Sequence, residues 1–482
     1  MNTQYHERNI SMVMDMYELT MSNGYFNQGF KDTWVAFDVF YRNNPDNGGF
    51  AIFAGLQQVV EYIENLHFSE EDVEYLRSKH LFTEEFLDEL LHFRFRGDIY
   101  AMKEGTVMYP NEPIMTVVAP LMDAQLIETT ILLEINHQSL IATKTNRIVQ
   151  AANGKPVSDF GARRAHNVDA AVYGARAAYI GGAAGTATVL AGKMFRIPIS
   201  GTMAHSWVMT FGSEYDAFKA YAESYPDGTV LLVDTYDVLK SGVPNAIRIA
   251  REVLEPMGKK LIGIRLDSGD LAYLSKEARK MLDEAGLSDC MIVASNSLDE
   301  YTISSLNRQD AKIDSYGVGE RLITSSSTPV FGAVYKLVAV QKGGKFIPRI
   351  KISETAEKIT NPGIKEVYRV YDENGKAVAD YLAVKGEQIR DFDPVRYVDP
   401  VNYWKNRSFV GCRFKKLQVP VFEKGELIYD LPDIEEIRQY VKEQLENEIW
   451  EEEQRFENAH THYLDMSPAM FELKMSLLHE EN

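Results

Sequence analysis

"LIGIRLDSGDLAYLSKEARKMLDEAG", residues 261–286, holds in one stretch the unit from which the middle of the chain is built. A short apolar run, Leu261–Leu266, ends in the polar, glycine-bearing cluster "DSGD", and a helical pattern follows at once. An apolar run that does not alternate reads as a strand buried on both faces, as in a parallel sheet. The cluster then stands at the strand's C-terminal end, where Asp270 reads as the N-cap of the helix.

The arrangement recurs between about 150 and 340, at a spacing of about 30 residues, the size of a βα unit. "PVSDFGARRAH" (156–166) comes first, and "IPISGTMAHS" (197–206) precedes "GSEYDAFKAYAESY". "TVLLVDTYD" (229–237), "CMIVASNSLDE" (290–300) and "IDSYGVGERL" (313–322) complete the series. Successive units of this kind build a parallel α/β barrel or a doubly wound sheet. In both, strand C-termini converge on the binding face, so the clusters around Asp159, His205, Asp234, Asp267, Asn296 and Gly317 are expected to meet.

Either side of this series the pattern is different. Residues 1–140 mix helices with strand-like pieces such as "TWVAFDVFYR" (33–42). Residues 69–93 have helical apolar spacing, begin at Ser69, and carry the Ser-x-x-Asp spacing of a capping box. After 340, "VFGAVYKLVAVQKGGKFIPRIKIS" (330–353) reads as two strands joined by a Gly-Gly turn. Residues 433–459 read as one long surface helix with solvated glutamates.

A chain of 482 residues exceeds one ordinary core. Its net charge of −19 lacks the positive surface that non-specific nucleic-acid binding needs. Phosphates, if bound, must meet local arginines and backbone N–H groups. The N-terminus has no apolar core and reads as no signal peptide; the apolar segment 170–192 contains Arg176 and five glycines, so no membrane span is expected. Two cysteines, Cys290 and Cys412, are too few for a disulfide framework or a cysteine zinc site, and a reduced, cytoplasmic protein is expected.

Within "ISGTMAHSW" (199–207), His205 is a core histidine, a strand-end residue, or a catalytic group. Carboxylates at neighbouring strand ends, from "VDTYD" and "RLDSGD", favour catalysis, since a carboxylate orients an imidazole and stabilises its cation. An imidazole so held acts as a base or accepts a phosphoryl group. Phe160 is able to stack on a flat ring, and Arg163 to pair with a carboxylate or phosphate, while Arg164 reads as a surface residue. "YGVGERL" is a Gly-x-Gly turn opening a helix, a plausible phosphate nest.

Taken in order, "DMYELTM" (15–21), "DFGARRAH", "SGTMAHSW", "VDTYD", "RLDSGDL", "YGVGERLIT", "VYKLV" (334–338) and "THYLDMSPAMFELK" (461–474) resemble the nicotinate phosphoribosyltransferase family over nearly the whole chain. The resemblance implies the type II phosphoribosyltransferase fold: an irregular TIM-like α/β barrel over 141–345, an α+β domain over 1–140, and a C-terminal segment, 346–482, packing on that domain. It implies synthesis of nicotinate mononucleotide from nicotinate and phosphoribosyl pyrophosphate, coupled to ATP through a phosphohistidine, with Mg²⁺ whose ligands the sequence does not reveal. By the same resemblance His205 is the phosphoryl acceptor and Asp234 the carboxylate that holds it. Thr202 and Arg265 stand at the nicotinate, Asp267 at the ribose hydroxyls, Phe160 and Arg163 around the ring. Ser295, Asn296, Gly317 and Gly319 form the 5′-phosphate cradle. Tyr17, with Asp15 nearby, is contributed by the partner subunit of a homodimer with shared sites. Glu320 departs from the expected threonine, and Thr324 is expected to supply a hydroxyl instead.

The rival readings are a nicotinamide phosphoribosyltransferase, a quinolinate-using relative, and a non-catalytic ligand-binding protein on the same scaffold. Nicotinamide users carry aspartate in a "GTDTV" stretch, where this chain has "GTATV" (185–189) with Ala187.

Overall fold

The computed structural model describes residues 8–355 and 358–480. The chain divides into two units: Met1–Thr143 with Val330–Asn482, and Lys144–Pro329. The second unit thus ends short of the 345 expected, because the strand Val334–Lys342 pairs antiparallel with Trp34–Phe40 in the first unit.

In the first unit a seven-stranded antiparallel sheet runs in the order 345–348, 334–342, 34–40, 115–120, 98–102, 418–423, 426–427. Six of the seven residues of Trp34–Phe40 are buried, as a strand covered on both faces requires. Phe37 stacks on Tyr335 of the adjacent strand at 4.5 Å. The expected hairpin is present: Gly343 and Gly344, with φ of 59° and 79°, supply the two left-handed residues of the tight turn. A second, six-stranded sheet is built from the C-terminal chain in the order 406–409, 395–398, 464–466, 377–384, 365–371, 413–416.

Two helical expectations need correction. The 69–93 stretch is two helices, Glu70–Arg77 and Glu84–Leu91. The first carries the expected Ser69–Asp72 capping box, but His80 turns left-handed (φ 56°) and Thr83 opens the second helix from extended backbone. The 433–459 helix is regular only over Ile434–Glu443, continues as a wider turn over 444–448, and stops at the extended Ile449. Gln444 is buried, accepting from Val107 N at 3.0 Å and donating to the Gly105 carbonyl at 2.9 Å.

Glu453 is not solvated either. It accepts from the Tyr109 hydroxyl at 2.5 Å and faces His462 Nδ1 at 3.0 Å, inside a buried cluster. There Arg369 grips Asp380 through two hydrogen bonds of 2.9 and 2.7 Å, and Tyr109 stacks on His462 at 3.7 Å. Burial disfavours the imidazolium, but Asp380 and Glu453 raise the His462 pKa above its ordinary value.

The second unit carries the parallel sheet. Its strands stand in the order Gly185–Thr186, Val157–Asp159, Ser315–Val318, Met291–Ser295, Gly263–Leu266, Val230–Leu232, and all five pairings are parallel. A single parallel bridge, Thr186 to Ile199, extends it at one edge. No ladder among the described residues joins that segment to Val230–Leu232, so the barrel is irregular. The opening stretch folds as its pattern requires. Ile264 and Leu266 are fully buried, Asp270 accepts from Tyr273 N at 3.0 Å, and Leu271–Glu284 buries Ala272, Ser275, Ala278 and Leu282 on one face.

Candidate active site

Opposite the strand N-termini, the second unit encloses a cavity of about 430 Å³. It is lined by Phe160, Arg163, Arg164, Ala187, Thr202, Met203, Arg265, Asp267, Ser295, Asn296, Gly317, Gly319, Glu320 and Arg321, among others. Nearly every strand-end cluster expected to converge therefore does. Asp15 and Tyr17 belong to the first unit, at the start of the helix Met16–Asn27 and among the residues preceding it. Asp15 N donates to Thr129 Oγ1 at 3.2 Å, and Tyr17 is 42% exposed.

Arg265 reaches from its strand to the 199–203 segment. Its Nη1 donates to Thr202 Oγ1 at 2.7 Å and its Nη2 to the Met203 carbonyl at 3.0 Å, while Nε is buried without a partner. Burial pushes its pKa down, opposed by Asp267 and Asp234. A guanidinium positioned on one side with an unused donor suits a planar anion. Phe160 lies against Gly317 so closely that a Cβ there would overlap its ring carbons, so glycine is what lets the ring lie flat on the strand. Gly161 N and Thr186 Oγ1 donate to the buried Asp159, at 2.8 Å each, and fix the loop that carries Phe160.

His205 opens the short helix His205–Thr210 rather than ending a strand. Its Nδ1 stands 3.1 Å from Thr235 Oγ1 and its Nε2 3.8 Å from Asp267 Oδ2. It follows the lining residue Ala204 in the chain and touches the cavity through Asp267. Asp234 does not hold it: Asp234 Oδ2 accepts from Asp267 N at 3.0 Å and Ser268 Oγ at 2.6 Å. The chain turns after Val230–Leu232 so that Asp234 braces the 267–268 turn and the next residue, Thr235, meets the imidazole. Ser295 Oγ donates to Asp267 Oδ1, so that hydroxyl is committed to orienting the carboxylate.

Asn296 and Ser297 both have positive φ, 86° and 50°, a left-handed pair at the end of Met291–Ser295. Such strain gathers where backbone is shaped for a ligand. Thr324 does not fill the place expected for it: its hydroxyl donates to the Glu320 carbonyl at 2.7 Å, and it is not among the cavity-lining residues. Arg164 is exposed as expected, yet lines the cavity and faces Glu320.

Thr235, Ser268 and Met203 were given no role from sequence, and Asp159 was named only as the place of its cluster. Thr235 and Ser268 lie inside quoted motifs, beside residues that were chosen; nothing in one sequence distinguishes a hydroxyl that faces a histidine from one that faces water. Among the described residues no group of three or more His, Cys, Asp or Glu is arranged to hold a metal ion. No described helix is long and apolar enough to cross a membrane.

Family models and sequence relatives point to one family. The chain matches the nicotinate phosphoribosyltransferase N-terminal domain over residues 12–136, the nicotinate phosphoribosyltransferase family over 156–372, and the corresponding C-terminal domain over 364–474. Nicotinate phosphoribosyltransferase of Bacillus subtilis is 46% identical over 477 residues, covering 99% of this chain and 96% of that one. The Dictyostelium discoideum enzyme of the same name is 35% identical, covering 96% and 87%. The crystal structure of human nicotinic acid phosphoribosyltransferase superposes with a TM-score of 0.86 at 27% identity, over 96% of this chain and 99% of that one. Nicotinate-nucleotide pyrophosphorylase of Pyrococcus furiosus follows with 0.69 at 26% identity, over 93% and 97%.

Proposed function

The chain belongs to the nicotinate phosphoribosyltransferase family, and from that premise we propose that it couples synthesis of nicotinate mononucleotide to ATP through phosphorylation of His205. The observation that carries this reading is an imidazole met at both nitrogens, by Thr235 and by Asp267, beside a cavity rich in arginine and left-handed backbone.

In the transfer, the ring nitrogen of nicotinate attacks the anomeric carbon of phosphoribosyl pyrophosphate. The bond to the pyrophosphate oxygen breaks, and no proton has to move. Phe160 supports the ring, Arg265 and Arg163 receive the carboxylate, and Asp267 accepts from the ribose hydroxyls. Ser295, Asn296, Gly317 and Gly319 surround the 5′-phosphate, with Ser295 acting through Asp267. In the coupled step, an imidazole nitrogen of His205 attacks the γ-phosphorus of ATP, and ADP leaves. Water later cleaves the N–P bond and releases phosphate. Thr235 orients the ring, and Asp267 stabilises its positive charge.

The donors present suit Mg²⁺: Asp234 Oδ1 is buried without a partner and Asp267 reaches the cavity, hard oxygens of the kind that share this ion with phosphates and water. When bound, it would neutralise phosphate charge. Both cysteines are free and buried, which agrees with a cytoplasmic setting.

Assaying the purified protein with nicotinate, nicotinamide and quinolinate in parallel, with and without ATP, tests this reading. Nicotinate alone should be turned over, faster with ATP and with release of ADP. Equal rates with and without ATP would remove the coupling, and comparable use of nicotinamide would favour the amide-using rival.

The same reading includes a homodimer with shared sites. Val13, Met16, Tyr17 and Met21 expose apolar surface at the start of the chain, as an interface would. Tyr17→Ala, which should lose synthesis, and His205→Ala, which should lose its stimulation by ATP, should regain ATP-stimulated synthesis when mixed, because one hybrid site is then intact. No recovery after proven subunit exchange refutes sharing.

A further inference from the structure

Besides Asp267, a second carboxylate lines the cavity, beside groups suited to anions. Glu320 follows Gly319 directly and lines the cavity with Asn296, Gly317 and Arg321. It faces Arg164, with Nε to Oε2 at 3.5 Å, and both side chains are more than half exposed, at 62% and 61%. Arg321 is tied down differently, by a 2.6 Å ion pair to Asp299. Asp299 is itself anchored as the cap of Glu300–Arg308, accepting from Thr302 N at 2.7 Å. So one arginine at this end is fixed by the scaffold, whereas the ion pair of the other is loose and solvated, of a kind that contributes little to stability.

We propose that Glu320 is a built-in counter-anion that sets the affinity of this end of the cavity for a phosphate monoester, occupying Arg164 until the phosphate displaces it. The inference rests on the reading above, in which the 5′-phosphate lies against Asn296, Gly317 and Gly319. An incoming dianion must separate Arg164 from Glu320 and then tolerate a carboxylate beside it. Both effects weaken binding, and both speed release of the phosphorylated product. The expected threonine at this position carries no charge and would do neither. A purely structural role is also available, since an acid in the first turn of a helix is favourable, and Glu320→Gln keeps the shape while removing the charge.

Titration calorimetry of ribose 5-phosphate into the intact protein tests this, using wild type, Glu320→Gln, Arg164→Ala and the double variant at low and high salt. Glu320→Gln should bind about tenfold more tightly at low salt, the size expected for relief of one nearby like charge. The gain should shrink at high salt, because the repulsion is screened, and shrink again in the Arg164→Ala background. The KM for phosphoribosyl pyrophosphate should fall in Glu320→Gln with no rise in kcat. Equal or weaker binding by Glu320→Gln overturns the role of Glu320 while leaving the cavity reading intact. No binding of ribose 5-phosphate to any of the four proteins overturns both.

Discussion

The His205→Ala protein, incubated with γ-labelled ATP, is expected to take up no label, and its ATP hydrolysis to fall by on the order of 10⁴-fold, as when a nucleophile is deleted. The wild-type label should be acid-labile and base-stable, the signature of a phosphorus–nitrogen bond. Thr235 meets the imidazole at Nδ1 and Asp267 at Nε2, so its removal leaves hydroxyl and carboxylate oxygens that cannot replace a nitrogen nucleophile. Label appearing on the His205→Ala protein would show that another residue accepts the phosphoryl group.

Ala187→Asp is expected to cut kcat/KM for nicotinate by about a thousandfold, the size that a like charge or an unpaired group in such a site commands. Ala187 is exposed in the cavity, and its backbone N donates to the Asp159 carbonyl at 2.8 Å, so the side chain at 187 projects from a fixed point. A carboxylate there would repel that of nicotinate and compete with it for Arg163 and Arg265, which line the same space. Nicotinamide, with no charge and an N–H₂ to donate, would lose far less. Measuring both substrates on both proteins decides it; an unchanged preference would mean that selection rests with the arginines alone.

The parallel sheet was legible because its signal is repeated: an apolar run, a polar cluster and a cap, as at Leu261–Asp270, specify strand, turn and helix from neighbours in the chain. The hairpin at Gly343–Gly344 was legible for the same reason. The failures have other causes. Gln444 and Glu453 look like helix residues beside their sequence neighbours, and only partners far along the chain, Val107 and Tyr109, turn them inward. The exposed His80 instead ends its helix by a left-handed turn that the helical spacing around it does not announce. Within the site, the motif residues were readable as a set, but the division of labour among adjacent ones was not. Asp234 and Thr235 differ by one position, and the turn after Val230–Leu232 decides which of them meets the histidine. Whether the barrel closed was beyond reach, since a single bridge at Ile199 leaves no periodic trace.

The strand Val334–Lys342 returns to pair with Trp34–Phe40 only after the whole of Lys144–Pro329 has intervened. During synthesis on the ribosome this imposes an order. The intervening stretch is continuous and is free to fold as soon as it has emerged, since domains fold as units while the chain is made. The sheet begun by residues 34–40 and 115–120 must wait with an open edge for a strand more than two hundred residues downstream, and for Gln418–Glu423 later still. An incomplete nascent chain therefore carries a finished barrel and an unfinished sheet, and the exposed flank of Trp34–Phe40 is where chaperone binding or aggregation of truncated chains should concentrate.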